Sequence, residues 1–191
     1  MDCYFEVWLR GFAKDKLRAI SSDDSENNHP HITLVRPFNI LTTEDDVKNK
    51  TIAFCRKNDA IKFSLEGKGD FDGKFYYVPV ANDKKLLEFN NGLEEVIKND
   101  VNFAPLLNDK KILHATVDEV GDFNPVETID QYMLRLTALK NKKIWFSYDF
   151  VTGYQLTREE SLDKKSWLRT VHEFTTQTGL IPTRNGFVSI K

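Results

Sequence analysis

Two short segments constrain this chain more than anything else in it: His31-Ile32-Thr33-Leu34 and His114-Ala115-Thr116-Val117. Both read His-x-Thr followed by an aliphatic residue, and both sit in apolar, β-branched runs that suit a strand. On a strand, residues i and i+2 share a face. His31 therefore points with Thr33 and His114 with Thr116, while Ile32, Leu34, Ala115 and Val117 turn the other way. A strand polar on one face and apolar on the other belongs in a sheet with a core on one side and a cleft on the other. With 14 threonines and 40% apolar residues in 191, two of four histidines would match by chance in about 0.5% of such chains. One copy alone reads as an ordinary strand histidine bonded to a neighbour; a matched pair does not.

The surroundings of the two motifs repeat as well. Residues 3–10 alternate, with Cys3, Phe5, Val7 and Leu9 on one side and Tyr4, Glu6, Trp8 and Arg10 on the other, which predicts a strand. A short helix over 13–21 follows, then a polar loop over 22–28. The first motif forms a strand over 31–38, ended by Pro37. Thr43 with Asp46 three residues on predicts a capped helix to about residue 58, and 61–68 a third strand. In the second half, 74–80 reads as a strand, 83–99 as a helix with Leu86, Phe89, Leu93, Val96 and Ile97 on one stripe, and 112–120 as the strand of the second motif. Asn124-Pro125 predicts the start of a helix to about residue 140 through Val126, Ile129, Met133 and Leu136, and 145–156 a long strand. Each half thus reads strand–helix–strand–helix–strand with a histidine on its middle strand. The tail beyond 157 suggests two short strands, near 171–175 and 187–190.

Composition bounds what such a sheet can serve. The 14 Phe, 6 Tyr and 3 Trp supply a core, which excludes a wholly disordered chain. The formal net charge is −2, whereas a protein that grips long nucleic acid by its phosphates carries a basic excess. A short nucleotide or an RNA end remains compatible with this balance. Cys3 and Cys55 cannot build a disulfide framework, and no Cys-x-x-Cys forms a zinc knuckle. The first residues lack the basic start and apolar run of a signal peptide, and the apolar stretches fall far short of a membrane span. The expectation is a soluble, cytoplasmic monomer without a membrane partner, a single domain over residues 1–191.

The paired motifs, about 80 residues apart in matching halves, resemble those of the 2H phosphoesterase superfamily, which includes the 2′-5′ RNA ligase-like proteins and the cyclic phosphodiesterases. The segment PHITLVRPF around His31 is especially similar. The likeness runs from residue 3 to about 157 and is weaker over 162–191. It implies an α+β fold of two lobes related by a pseudo-two-fold axis, each an antiparallel sheet with helices outside. The halves, roughly 1–70 and 71–157, would interleave in space around a central cleft, with 158–191 as a C-terminal extension. The resemblance also implies no metal, no cofactor, and RNA ends, short oligonucleotides or cyclic nucleotides as partners. Carried over residue by residue, it makes His31 and His114 the acid–base pair and Thr33 and Thr116 the phosphate clamps.

The chemistry of these residue types agrees. Cleaving a phosphodiester or a 2′,3′-cyclic phosphate needs a base for the attacking oxygen and an acid for the leaving one. Imidazoles, which titrate near neutrality in water, can play both parts. Threonine hydroxyls can donate to the non-bridging oxygens where charge must be held. Nothing in the sequence says which histidine is the base. Arg36 is a further phosphate contact only if a twist or bulge before Pro37 turns it toward Thr33; its counterpart in the second half is Glu119, which cannot help to bind an anion. Tyr76, Tyr77, Phe38 and Trp8 could stack on a base, although strand aromatics more often belong to a core. His29 with His31 lacks a third metal ligand, and Gly67, Gly69 and Gly73 lack the spacing of a dinucleotide fingerprint. His172 has no following Thr, and the basic run at 140–143 reads as a solvated helix end. The expected function is a metal-independent phosphodiesterase acting on 2′,3′-cyclic phosphate or 2′-5′ bonds. The alternatives are an ATP-independent 2′-5′ RNA ligase and a non-catalytic nucleotide or RNA-end binding module.

Overall fold

The alternation at the start of the chain forms strand β1 (Asp2–Leu9) in a computed structural model of the protein. The structure describes residues 2–20, 30–71, 73, 75–105, 111–117, 125–130, 132–139, 144–149, 155–156, 180–183 and 186–189. Cys3, Phe5, Val7 and Leu9 are buried as the pattern requires, but Tyr4 and Glu6 on the opposite side are buried too. Strand β1 lies inside the sheet, with a strand on each flank whose side chains share its faces; Thr137 bonds to Glu6 there.

Helix α1 (Gly11–Ala19) leads to β2 (His31–Ile40). Helix α2 (Glu44–Cys55) follows, opened by the expected capping box: the Thr43 hydroxyl accepts from the Asp46 amide and the Asp46 carboxylate accepts from the Thr43 amide. Next come β3 (Phe63–Leu65), β4 (Gly69–Phe71), β5 (Phe75–Ala81), helix α3 (Lys84–Ile97) and β6 (Val101–Phe103). The second motif is β7 (His114–Val117), followed by β8 (Val126–Ile129), β9 (Tyr132–Ala138), β10 (Ile144–Asp149) and β11 (Gln155–Leu156). A separate antiparallel hairpin joins β12 (Leu180–Thr183) to β13 (Gly186–Ser189). The predicted loop at 22–28 and strand near 171–175, and the residues His29, Glu119, His172 and 140–143, lie outside the described residues.

Two helix readings need correction. The helix expected from Asn124-Pro125 to about residue 140 is absent: 126–129 and 132–138 are strands. Val126, Ile129, Met133 and Leu136 do fall at helical spacing. However, β9 pairs with β1 over seven consecutive residues, from Cys3↔Ala138 to Leu9↔Tyr132, and all seven of its residues are buried. A strand enclosed on both faces need not alternate, so spacing alone misleads. In α3 the stripe is Leu86, Phe89, Asn90, Leu93 and Ile97, with Val96 exposed. Helices α2 and α3 meet at Phe54 and Phe89, edge to face at 4.9 Å. A Cβ on Gly92 would stand 2.9 Å from the Phe54 ring, so glycine is what lets them approach.

Every paired strand in the sheet is antiparallel, and the order is β11-β10-β9-β1-β2-β7-β5-β3-β8, with β4 beside β5 and β6 beside β2. The fold is therefore α+β, a curled antiparallel sheet with three helices among the described residues. It corrects the expectation of two separate sheets: β2 and β7, from opposite halves of the chain, are hydrogen-bonded neighbours that join the halves into one path. The flanks are exchanged as well. Strand β9 of the second half lies beside β1, and β3 of the first half lies beside β5. The apolar stripes of α2 and α3 share one core with Ile32, Ala115, Val7 and Val78 on the sheet. No helix among the described residues is long and apolar enough to cross a membrane.

Candidate active site

The centre of the sheet carries both motifs. Ile32 of β2 pairs with Ala115 of β7, and both are fully buried in the core. One residue to either side of this antiparallel pair, His31 falls opposite Thr116 and Thr33 opposite His114. All four therefore turn away from the core, onto one face. His31, Thr33 and His114 are half-buried and Thr116 is exposed. The two histidines are diagonal neighbours, a relation that sets residues about 7–8 Å apart across a strand pair.

The two histidines have different surroundings. Across from His31 and Thr33, β1 presents Trp8 and Glu6. Glu6 is 2% exposed. Its Oε1 accepts a hydrogen bond from Thr137 Oγ1 at 2.9 Å, and its Oε2 stands 3.7 Å from His31 Nε2. The Tyr4 hydroxyl also bonds to Glu6, and burial, then the Glu6 charge, push the Tyr4 phenol far above its ordinary pKa. Arg135, opposite Glu6 on β9, lays its guanidinium 3.4 Å over the Trp8 ring.

His114 has an aromatic setting instead. Its Nδ1 donates to the Ile112 carbonyl at 2.8 Å. A carbonyl only accepts, so this bond fixes the proton on Nδ1 and leaves Nε2 as the acceptor of the neutral ring. Phe71 and Tyr77 stack on each other at 4.5 Å and stand 5.2 and 5.0 Å from the His114 ring. Tyr77 lies across Gly69, where a Cβ would come within 2.3 Å of its ring.

Arg36 takes another direction. Its guanidinium is 3.9 Å from Glu94 of α3 and 5.1 Å from the Phe103 ring. Glu94 also meets Lys111, which donates to the Leu34 carbonyl and to Asn90; burial lowers the pKa of Lys111. The structure thus brings His31, Thr33, His114 and Thr116 onto one face and ties Arg36 to a helix. Phe38 is core, packed on Phe5 and Phe103, and Tyr76 is exposed. Glu6, Thr137, Arg135 and Phe71 were missed as site residues. Glu6 had a legible signal, since alternation in β1 sets it on the face away from the core; Thr137 and Arg135 were hidden in the misread helix. No group of three residues among those described has the makings of a metal site.

A helix-backed antiparallel sheet with two His-x-Thr strands at its centre is the plan of a two-histidine phosphoesterase. A sequence model of the 2′-5′ RNA ligase superfamily matches residues 6–146, a span that includes both motifs. The chain belongs to that superfamily, the 2H phosphoesterases. None of the curated proteins compared with it matches.

Proposed function

We propose that this protein is a phosphodiesterase acting on RNA-derived 2′,3′-cyclic phosphate or 2′-5′ phosphodiester bonds through His31 and His114, as a cytoplasmic monomer with one histidine from each half of the chain. The observation that carries the reading is the register of β2 on β7, which sets two His-x-Thr pairs diagonally on a face turned from the core. A phosphate seated between the rings has one imidazole for the attacking oxygen and one for the leaving oxygen. Thr33 and Thr116 donate to the non-bridging oxygens, where negative charge develops. Phe71 and Tyr77 offer an aromatic wall to the attached base. Arg36, paired with Glu94, has no part in this arrangement. The reading gives no step to a metal or cofactor.

The test is hydrolysis of a 2′,3′-cyclic nucleotide and a 2′-5′ dinucleotide in the presence of a metal chelator. His31→Ala and His114→Ala should each lower the rate about 10²–10⁴-fold. The double variant should be little worse than either, because groups acting as a unit are non-additive. Near wild-type turnover by either single variant on both substrates would overturn the two-histidine mechanism. Tight binding of nucleotide without turnover would favour a binding module, and joining of RNA ends without ATP a ligase.

A further inference from the structure

The group beside His31 is a built support. Glu6 is buried inside the sheet yet charged by type, and such a residue survives only if its oxygens are satisfied. One oxygen is held by Thr137 at 2.9 Å, Tyr4 adds a second hydroxyl, and the other oxygen is turned to His31 Nε2 at 3.7 Å. That last distance is a charge contact slightly longer than a hydrogen bond, of the kind that tightens when substrate fills a site. A carboxylate only accepts. A proton on the histidine nitrogen facing it makes that contact attractive. Among the described residues His114 has no carboxylate partner: its ring is fixed by a backbone carbonyl, and through the other nitrogen, Nδ1.

We propose that Glu6 is a positioning residue that keeps the proton of His31 on Nε2 and holds its ring for proton transfer. The proposal rests on the two-histidine reading of the site. It makes the pair inequivalent, with opposite tautomers set by different supports. Replacing Glu6 by glutamine gives the sharpest contrast. With the amide oxygen in the place of Oε1, accepting from Thr137, the amide NH₂ takes the place of Oε2. A donor then faces His31 Nε2, and the neutral ring must accept there and move its proton to Nδ1.

The experiment combines ¹⁵N NMR of the histidine rings with steady-state kinetics on a 2′,3′-cyclic nucleoside monophosphate. In the wild type, at a pH where the rings are neutral, His31 should carry its proton on Nε2 and His114 on Nδ1. In Glu6→Gln the His31 proton should move to Nδ1 while His114 is unchanged. Turnover in Glu6→Gln should fall about ten- to a hundredfold, the scale for losing a group that orients a functional histidine, with KM within about twofold. A wild-type His31 protonated on Nδ1 overturns the proposal, whether or not the variant folds. So does a Glu6→Gln protein with wild-type kcat and an unmoved His31 proton. Loss of activity in His31→Ala with an intact Glu6→Gln enzyme refutes the support and leaves the catalytic pair standing. Full activity in His31→Ala refutes the pair itself.

Discussion

Substituting Gly69 by alanine tests how tightly the wall beside His114 is built. The added Cβ would lie 2.3 Å from Tyr77 Cζ, 2.5 Å from its hydroxyl oxygen and 2.7 Å from Cε2. Carbon atoms pack comfortably at about 3.5–4.0 Å, so the ring must retreat by about 1 Å or more. Tyr77 cannot do this alone, because it stacks on Phe71 at 4.5 Å and leans on His114 at 5.0 Å. Each such ring contact contributes about 0.5–1.5 kcal/mol beyond area burial, and overpacking costs about 1–3 kcal/mol. Gly69→Ala should therefore destabilise the protein by about 1–3 kcal/mol, read as a lower urea midpoint at unchanged slope. Turnover should fall as well, since the displaced ring is the one that supports His114. Tyr77→Ala removes the obstacle, so adding Gly69→Ala to it should cost much less than Gly69→Ala alone, with a coupling of about 0.5–3 kcal/mol in the double-mutant cycle. A Gly69→Ala protein within about 0.5 kcal/mol of wild type, or an additive cycle, would refute the reasoning.

Thr33→Ala and Thr116→Ala should each slow turnover by no more than about 2.7–4 kcal/mol of barrier, the cost of one lost donor to developing charge. Single-turnover rates that match wild type in both variants would take the hydroxyls out of the site. At alkaline pH the fold should weaken. Burial pushes the Cys55 thiol up to about 12 from an ordinary 9.0, so it stays neutral in the native state while the unfolded thiol ionises. The unfolded state then binds fewer protons, and stability that is complete below about pH 9 declines above it by at most about 1.4 kcal/mol per pH unit for this group. Urea midpoints at pH 8 and pH 10 should separate in wild type and separate less in Cys55→Ala; equal separations would contradict the assignment.

What could be read from the residues follows from where each strand lies. The motifs at His31 and His114 were legible because i, i+2 logic holds across His31–Leu34 and His114–Val117, each with one core face and one open face; it lapses at Val35, which is buried directly after Leu34. The Thr43–Asp46 cap was legible because it is local. Strand β9 was not, since its identity comes from pairing with a segment about 130 residues away and its burial on both sides erases alternation. Strands β4 and β6, three residues each, are too short to show a period and exist through their partners β5 and β2. Arg36 keeps the direction that alternation gives it, away from Thr33 and toward Glu94 of α3, although β2 shifts register against β1 beside it. Glu6 was visible as a polar residue on a strand, but nothing local says that Thr137 would meet it.

The exchange of flanking strands bears on when the surroundings of His31 are assembled. Strand β1 can pair with β2 early, across the short path through α1, but its other edge waits for β9. Closing so long a loop is slow compared with forming a local hairpin. On the ribosome, where chains emerge from the N-terminus, His31 and Thr33 are made long before Thr137. A nascent chain carries the first histidine and Glu6, but not the Thr137 hydroxyl that holds the Glu6 carboxylate, until the second half has been synthesised and paired alongside the first. Activity should therefore be among the last properties acquired during synthesis, and a chain truncated before β9 should bear the first motif without a working site.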